Sequence, residues 1–223
     1  MSRMFSYDGP LMTFIGKIAD LLILNVIWLL CCIPIITIGP ATTAMYYVTL
    51  KLARNEEPSI VKSFFHSFKM NLKQGIFMFL ALVLIGAVLV LDYFIMGGIV
   101  TGTFGKVFRI ILVLWLIAYA ATTIYAYPLL AQFDNTVFGT LKNAFMLSIG
   151  RFPTSILLLL LHAIPPVCFL LSADLFMRTL PLWAFLAPVV IARASSEKHK
   201  KIFDQMMGKT EEDIPTEPAT EQE

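Results

Sequence analysis

Five stretches of this chain carry no charged side chain: residues 21–50, 74–91, 110–133, 152–173 and 179–192. A soluble protein would have to bury all five in one core, and 223 residues supply too little polar surface to cover them. Only 14% of the chain is charged, where a soluble domain carries about 25%. The mean hydropathy is +0.78. A helix of about 20 apolar residues crosses the roughly 30 Å hydrocarbon core of a bilayer. Four stretches meet that length. The fifth is short, but Arg178 and Arg193 at its ends can snorkel to the two interfaces. The expected fold is an all-α membrane protein with about five transmembrane helices, at about 18–38, 75–95, 107–130, 153–171 and 180–194. These form one domain over 1–194. Residues 195–223 read as a polar, disordered cytoplasmic tail, with six acidic and no basic residues from Glu211 onward.

The first apolar run starts at Leu21, is long, and follows Asp8 and Asp20, so it reads as a retained helix rather than a secretory signal. Cys31, Cys32 and Cys168 lie in apolar stretches without metal-ligand spacing. A net charge of +2 gives no sign of nucleic-acid binding.

Between the spans, segments 41–74 and 131–152 leave the hydrocarbon as amphipathic helices on the cytoplasmic side. The first breaks into two near Asn55–Pro58. In its second half Val61, Phe64, Phe65, Phe68 and Leu72 recur at helical spacing, and Lys62, His66, Lys69 and Lys73 recur on another face. An aromatic stripe beside a basic stripe suits an interfacial helix, whose ammonium groups meet the phosphates of membrane lipids. The same aromatic stripe also suits packing on neighbouring helices. Lysine and arginine concentrate in 39–74, 131–152 and the tail, which places these regions in the cytoplasm and the N-terminus outside if there are five spans. Glycines 97–105 read as a loop. A loose internal repeat pairs Lys62-Ser63-Phe64-Phe65 with Lys142-Asn143-Ala144-Phe145, each ahead of a span.

Polar groups within spans are the candidates for chemistry. His162 lies near the middle of the fourth span, and Asp92 toward the outer end of the second. Each suits a ligand or proton pathway, or a satisfied or wetted structural site. Asn25 reads as an interhelical donor or a binding group. Thr37 sits in a Thr-Ile-Gly-Pro corner that either turns the chain or lines a site with exposed backbone. With no second histidine in any span, no metal site is expected, and no cofactor. There is no nucleophile elbow, phosphate loop, HExxH or paired-carboxylate pattern, so the chain does not read as an enzyme.

The run Asn25-Val26-Ile27-Trp28-Leu29-Leu30, followed by Pro34-Ile35-Ile36-Thr37-Ile38-Gly39-Pro40-Ala41-Thr42-Thr43-Ala44-Met45-Tyr46-Tyr47, resembles the signature of the YesL-like family of bacterial membrane proteins. Phe64-Phe65-His66-Ser67-Phe68-Lys69-Met70-Asn71-Leu72-Lys73-Gln74 and Tyr127-Pro128-Leu129-Leu130-Ala131-Gln132-Phe133 resemble it too, except that Gln132 stands where the family would have arginine. The resemblance spans about residues 5–200. It implies a plasma-membrane protein whose domain has no established function, working as an accessory or regulatory component beside a carbohydrate ABC uptake system. Its partner would be a transporter or sensor subunit in the same membrane. Two alternatives stand beside it: a small-solute transporter in its own right, and a membrane enzyme.

Overall fold

The computed structural model describes residues 10–99 and 102–208. Among these every regular element is helical: α1 (Pro10–Cys32), α2 (Ile38–Ala53), α3 (Ile60–Met70), α4 (Leu72–Ile99), α5 (Gly102–Gln132), α6 (Val137–Gly150), α7 (Phe152–Leu171), α8 (Ala173–Arg178), α9 (Leu180–Phe185) and α10 (Ala187–Met206). Four segments are long and apolar enough to cross a bilayer: Ile15–Cys32, Leu72–Ile95, Gly102–Gln132 and Phe152–Leu171. No more than 17% of any of these windows is buried inside the protein. Leu84, Leu114 and Leu170 stand out from α4, α5 and α7 with most of their surface uncovered. Water would not tolerate so much continuous apolar surface, whereas lipid requires it. The chain is a multi-pass α-helical membrane protein.

The structure corrects the expected boundaries in four places. The first span ends at Cys32, because Pro34 cannot continue a helix and pushes Ile33 out of helical geometry. A 3-10 turn at Ile35–Thr37 follows and α2 starts at Ile38. The predicted glycine loop at 97–105 is helical up to Ile99 and again from Gly102. The fifth span is broken: α9 stops at Phe185, and Pro188 sits in the first turn of a new helix where its missing N–H costs nothing. That new helix runs on to Met206, past the expected boundary at 194, so residues 195–206 are helical rather than disordered. Ser195, Ser196, His199, Ile202, Phe203 and Asp204 of α10 are buried. The acidic end, 209–223, lies outside the described residues.

The buried core gathers around α2, which packs against α1, α3, α4, α5 and α10. One apolar cluster joins Leu24 of α1, Ala44 and Val48 of α2, Phe64 of α3 and Val189 of α10. The other joins Leu50, Met78, Leu82, Tyr125, Leu129, Ala144, Leu158 and Phe203, and Tyr127 packs on both. The 41–53 stretch is a helix, as expected, but most of α2 is buried among its neighbours rather than lying on a surface. Its small residues allow close approach. A Cβ on Gly39 would lie 2.1 Å from the Gly75 carbonyl oxygen, and one on Gly75 would lie 2.7 Å from Pro40 Cα. Thr43 and Thr49 direct their hydroxyls back to the carbonyls of Gly39 and Met45, both at 3.0 Å, which lets them pack as apolar residues.

Two short amphipathic helices hand over to spans in the same way. Only Asn71 separates α3 from α4, and only Arg151 separates α6 from α7. This is the part of the sequence repeat that the structure makes visible.

Candidate functional site

Two regions concentrate polar side chains: the interior where α2, α5, α7 and α10 meet, and an open groove between α2 and α3.

The interior begins with a constant register. Thr49 Oγ1 lies 2.9 Å from Ser196 Oγ, and Arg54 Nη2 lies 3.1 Å from Asp204 Oδ1. The near-equal sequence offsets, 147 and 150, mean that α2 and α10 run side by side in the same direction. Tyr46 also meets His199, about one turn further along α10 than this register, with ring centroids 6.0 Å apart, edge to face. Tyr125 of α5 meets the same imidazole at 5.2 Å, and Phe203 stacks on it at 5.8 Å. His162 of α7 joins from the other side. Its Nδ1 lies 2.8 Å from the Leu158 carbonyl oxygen, and its Nε2 lies 3.3 Å from Tyr46 Oη. A carbonyl only accepts, so Nδ1 carries the hydrogen. In the neutral ring Nε2 is then the acceptor and Tyr46 donates to it. Burial pushes the Tyr46 hydroxyl up to about 12, opposed by a hydrogen bond with Ser195, which keeps it a donor. Nearby, Ser155 Oγ donates to the Ser148 carbonyl at 2.7 Å and lies 3.1 Å from Tyr125 Oη.

His162 is thus a satisfied side chain whose neighbours the sequence did not reveal. His199, in the stretch expected to be a tail, lies close by, and Tyr46 touches both imidazoles. His199 is fully buried, and neither ring nitrogen has a hydrogen-bond partner among the described residues. Burial, with a smaller contribution from His162, pushes its pKa down from 6.5 to about 3. The fold therefore holds His199 neutral while the unfolded chain protonates near 6.5. Its contribution to stability is complete above pH 6.5. It is lost as the pH falls from 6.5 toward 3, by up to about 1.4 kcal/mol per unit. His199→Phe keeps the ring and removes the titration. In detergent, the variant should melt at a nearly constant temperature between pH 7 and 4.5 where the native chain loses ground. Parallel curves for the two proteins would refute this role.

The other predicted polar residues are placed separately. Asn25 Nδ2 donates to the Ala184 carbonyl at 3.1 Å and ties α1 to α9. Thr37 Oγ1 lies 2.6 Å from the carbonyl oxygens of both Cys31 and Pro34 and closes the corner between α1 and α2. Asp92 lies on α4, 17 residues beyond the Gly75 crossing, or about 25 Å along the helix. Its half-buried carboxylate has no ion pair among the described residues, while α7, which carries His162, packs on α5, α6, α8 and α10. The structure does not bring these two residues together. Among the described residues no group of three or more His, Cys, Asp or Glu is placed to hold a metal.

The groove is open, about 710 Å³, and lined by Tyr47 and Lys51 of α2, Ser59 before α3, and Val61, Lys62, Ser63, Phe65, His66 and Lys69 of α3. Three of the four residues expected to form the basic face line it, and Lys73 begins α4 just beyond. Tyr47 and Lys51 come from a different helix, so the α3 periodicity gave no sign of them. Lys51 Nζ sits 5.1 Å above the Tyr47 ring and 3.7 Å from Glu56. Lys62, Lys69 and Lys73 have no carboxylate within ion-pair distance among the described residues.

Residues 21–93 match the model of a family described as "Protein of unknown function, DUF624". The match runs from α1 into α4 and so takes in both the Gly39–Gly75 crossing and the groove. No curated protein and no solved structure matches the chain.

Proposed function

We propose that this multi-pass membrane protein is a non-catalytic accessory component of the plasma membrane. In this reading it works beside a carbohydrate ABC uptake system, with α2, α3, α6 and the end of α10 on the cytoplasmic side. The observation that carries the reading is the tie at one end of the molecule. Arg54, capping α2, donates to Gln132 at the end of α5 (2.8 Å) and to Asp204 near the end of α10 (3.1 Å). Arg151 reaches Gln205 at 2.6 Å. Three helix ends are locked into one surface, and the chain's excess of lysine and arginine lies in the segments that build it, as expected for a cytoplasmic face. A fixed, charged surface on apolar anchors suits docking of a partner subunit. The resemblance of the 25–47 run to the YesL-like family supports sugar uptake as the setting.

The transporter alternative draws less support. His162 has both nitrogens engaged, and Asp92 is on a different helix pair.

Purification in mild detergent from cells grown on the relevant sugar should retain a permease or ATPase subunit of the uptake system. A reporter fused at Gly102 should lie outside the cell. Recovery of the chain alone, under conditions that preserve intact transporters, would count against the partner. A cytoplasmic signal at Gly102 would overturn the orientation.

A further inference from the structure

We infer that the α2–α3 groove is a binding site for the phosphate headgroup of an anionic phospholipid. The inference rests on α4 being a membrane helix and not on the uptake partner, so either can fail without the other. Three observations combine. First, α3 is joined to α4 through Asn71 alone, and α4 enters its apolar span at Leu72. The last turn of α3 is therefore held at the mouth of a span, at headgroup level. Second, the groove is lined from two helices by Lys51, Lys62 and Lys69, with Ser59, Ser63 and the Tyr47 ring between them. Ammonium groups supply the attraction and hydroxyls the hydrogen bonds that a phosphodiester accepts. Its volume of about 710 Å³ is within the range of small-ligand sites. Third, exposed Val61 and Phe65 border the same groove, which places apolar surface where acyl chains begin. A free anion would gain nothing from those two residues, and an acidic protein segment would gain nothing from the proximity to α4.

Only Lys51 among the three groove lysines has an acid beside it, Glu56 at 3.7 Å, with both side chains partly exposed. Lys62 and Lys69 are therefore the residues to change. The full chain in dodecyl maltoside is titrated with dihexanoyl-phosphatidylglycerol, with zwitterionic dihexanoyl-phosphatidylcholine, and with inorganic phosphate. Phosphatidylglycerol should bind most tightly and weaken as salt rises. The Lys62→Ala/Lys69→Ala double variant should lose about thirtyfold in affinity, roughly 1 kcal/mol for each of the two lysines. Lys142→Ala, on α6, should bind as the native chain does. Equal binding of the two lipids, or an unchanged double variant, would overturn the inference. So would inorganic phosphate binding as tightly as phosphatidylglycerol, since the groove would then be a plain anion site. A glutamate-rich peptide that outcompetes the lipid would assign the groove to a protein. Lipid binding that appears only after residues 211–223 are removed would assign it to the chain's own acidic end. Both outcomes reject the lipid.

Discussion

Gly39→Ala should lower the thermal stability of the protein more than any other single methyl addition among its described glycines. The new Cβ would sit 2.1 Å from the Gly75 carbonyl oxygen and 2.7 Å from Phe79 Cβ, and backbone cannot turn aside as a flexible side chain can. Overpacking a core costs about 1–3 kcal/mol, and a collision with backbone belongs at or above the upper end. The two helices must separate, and α2 touches most of the buried core, so the loss spreads beyond the contact. Gly75→Ala should act in the same way through Pro40. Gly16→Ala and Gly150→Ala are the matched controls, since nothing lies within 4 Å of a Cβ at either position. Thermal unfolding in detergent, followed by tryptophan fluorescence, measures all four. A Gly39→Ala protein that melts with the native chain would mean that α2 and α4 do not pack this closely.

The second large effect should follow the loss of Arg54. Its side chain is 16% exposed and that of Asp204 9%, so Arg54→Ala strands a nearly buried carboxylate and leaves Gln132 Oε1 without its donor. Removing one partner of a buried pair costs about 3–5 kcal/mol. This pair closes one end of the helix set and keeps some access to water, so the lower part of that range is expected. Asp204→Leu combined with Arg54→Met should cost far less than either change alone, because no charge is then left unpaired. A double variant as unstable as the sum of the single ones would show that the pair does not act as a unit. The same geometry gives Gln132 a role. An arginine there, as the family resemblance would have it, would present a second guanidinium to Arg54 in place of an acceptor. In this chain Arg54 supplies the positive charge and Gln132 Oε1 accepts a hydrogen bond from it.

Charge distribution marked about five spans, and four of them are helices long and apolar enough to cross, because crossing a bilayer is decided locally. Each segment must offer about 20 apolar residues whatever its neighbours are. The same local logic located the break between α2 and α3 near Asn55, which takes a positive φ of 57°, and the basic face of α3. It failed where burial depends on partners far along the chain. The stretch from Ser195 to Phe203, with its serines, lysines and His199, reads as a tail because nothing within it can satisfy or cover those groups. Thr49 satisfies Ser196, and Tyr46 and Tyr125 cover His199, from about 75 to 150 residues away. Residues 41–53 read as an amphipathic helix outside the hydrocarbon, yet their small and hydroxyl side chains are what lets five other helices close around α2. The groove belongs to the same class: the α3 sequence carries its lysine stripe, and only the packing of α2 adds Tyr47 and Lys51 and gives the stripe an opposite wall. Hydropathy and charge were enough to mark a multi-pass α-helical membrane protein and the four helices long and apolar enough to cross. Packing alone set which helix forms the centre, which polar residues are buried and where an open groove lies, since each of these depends on contacts between segments that hydropathy cannot relate.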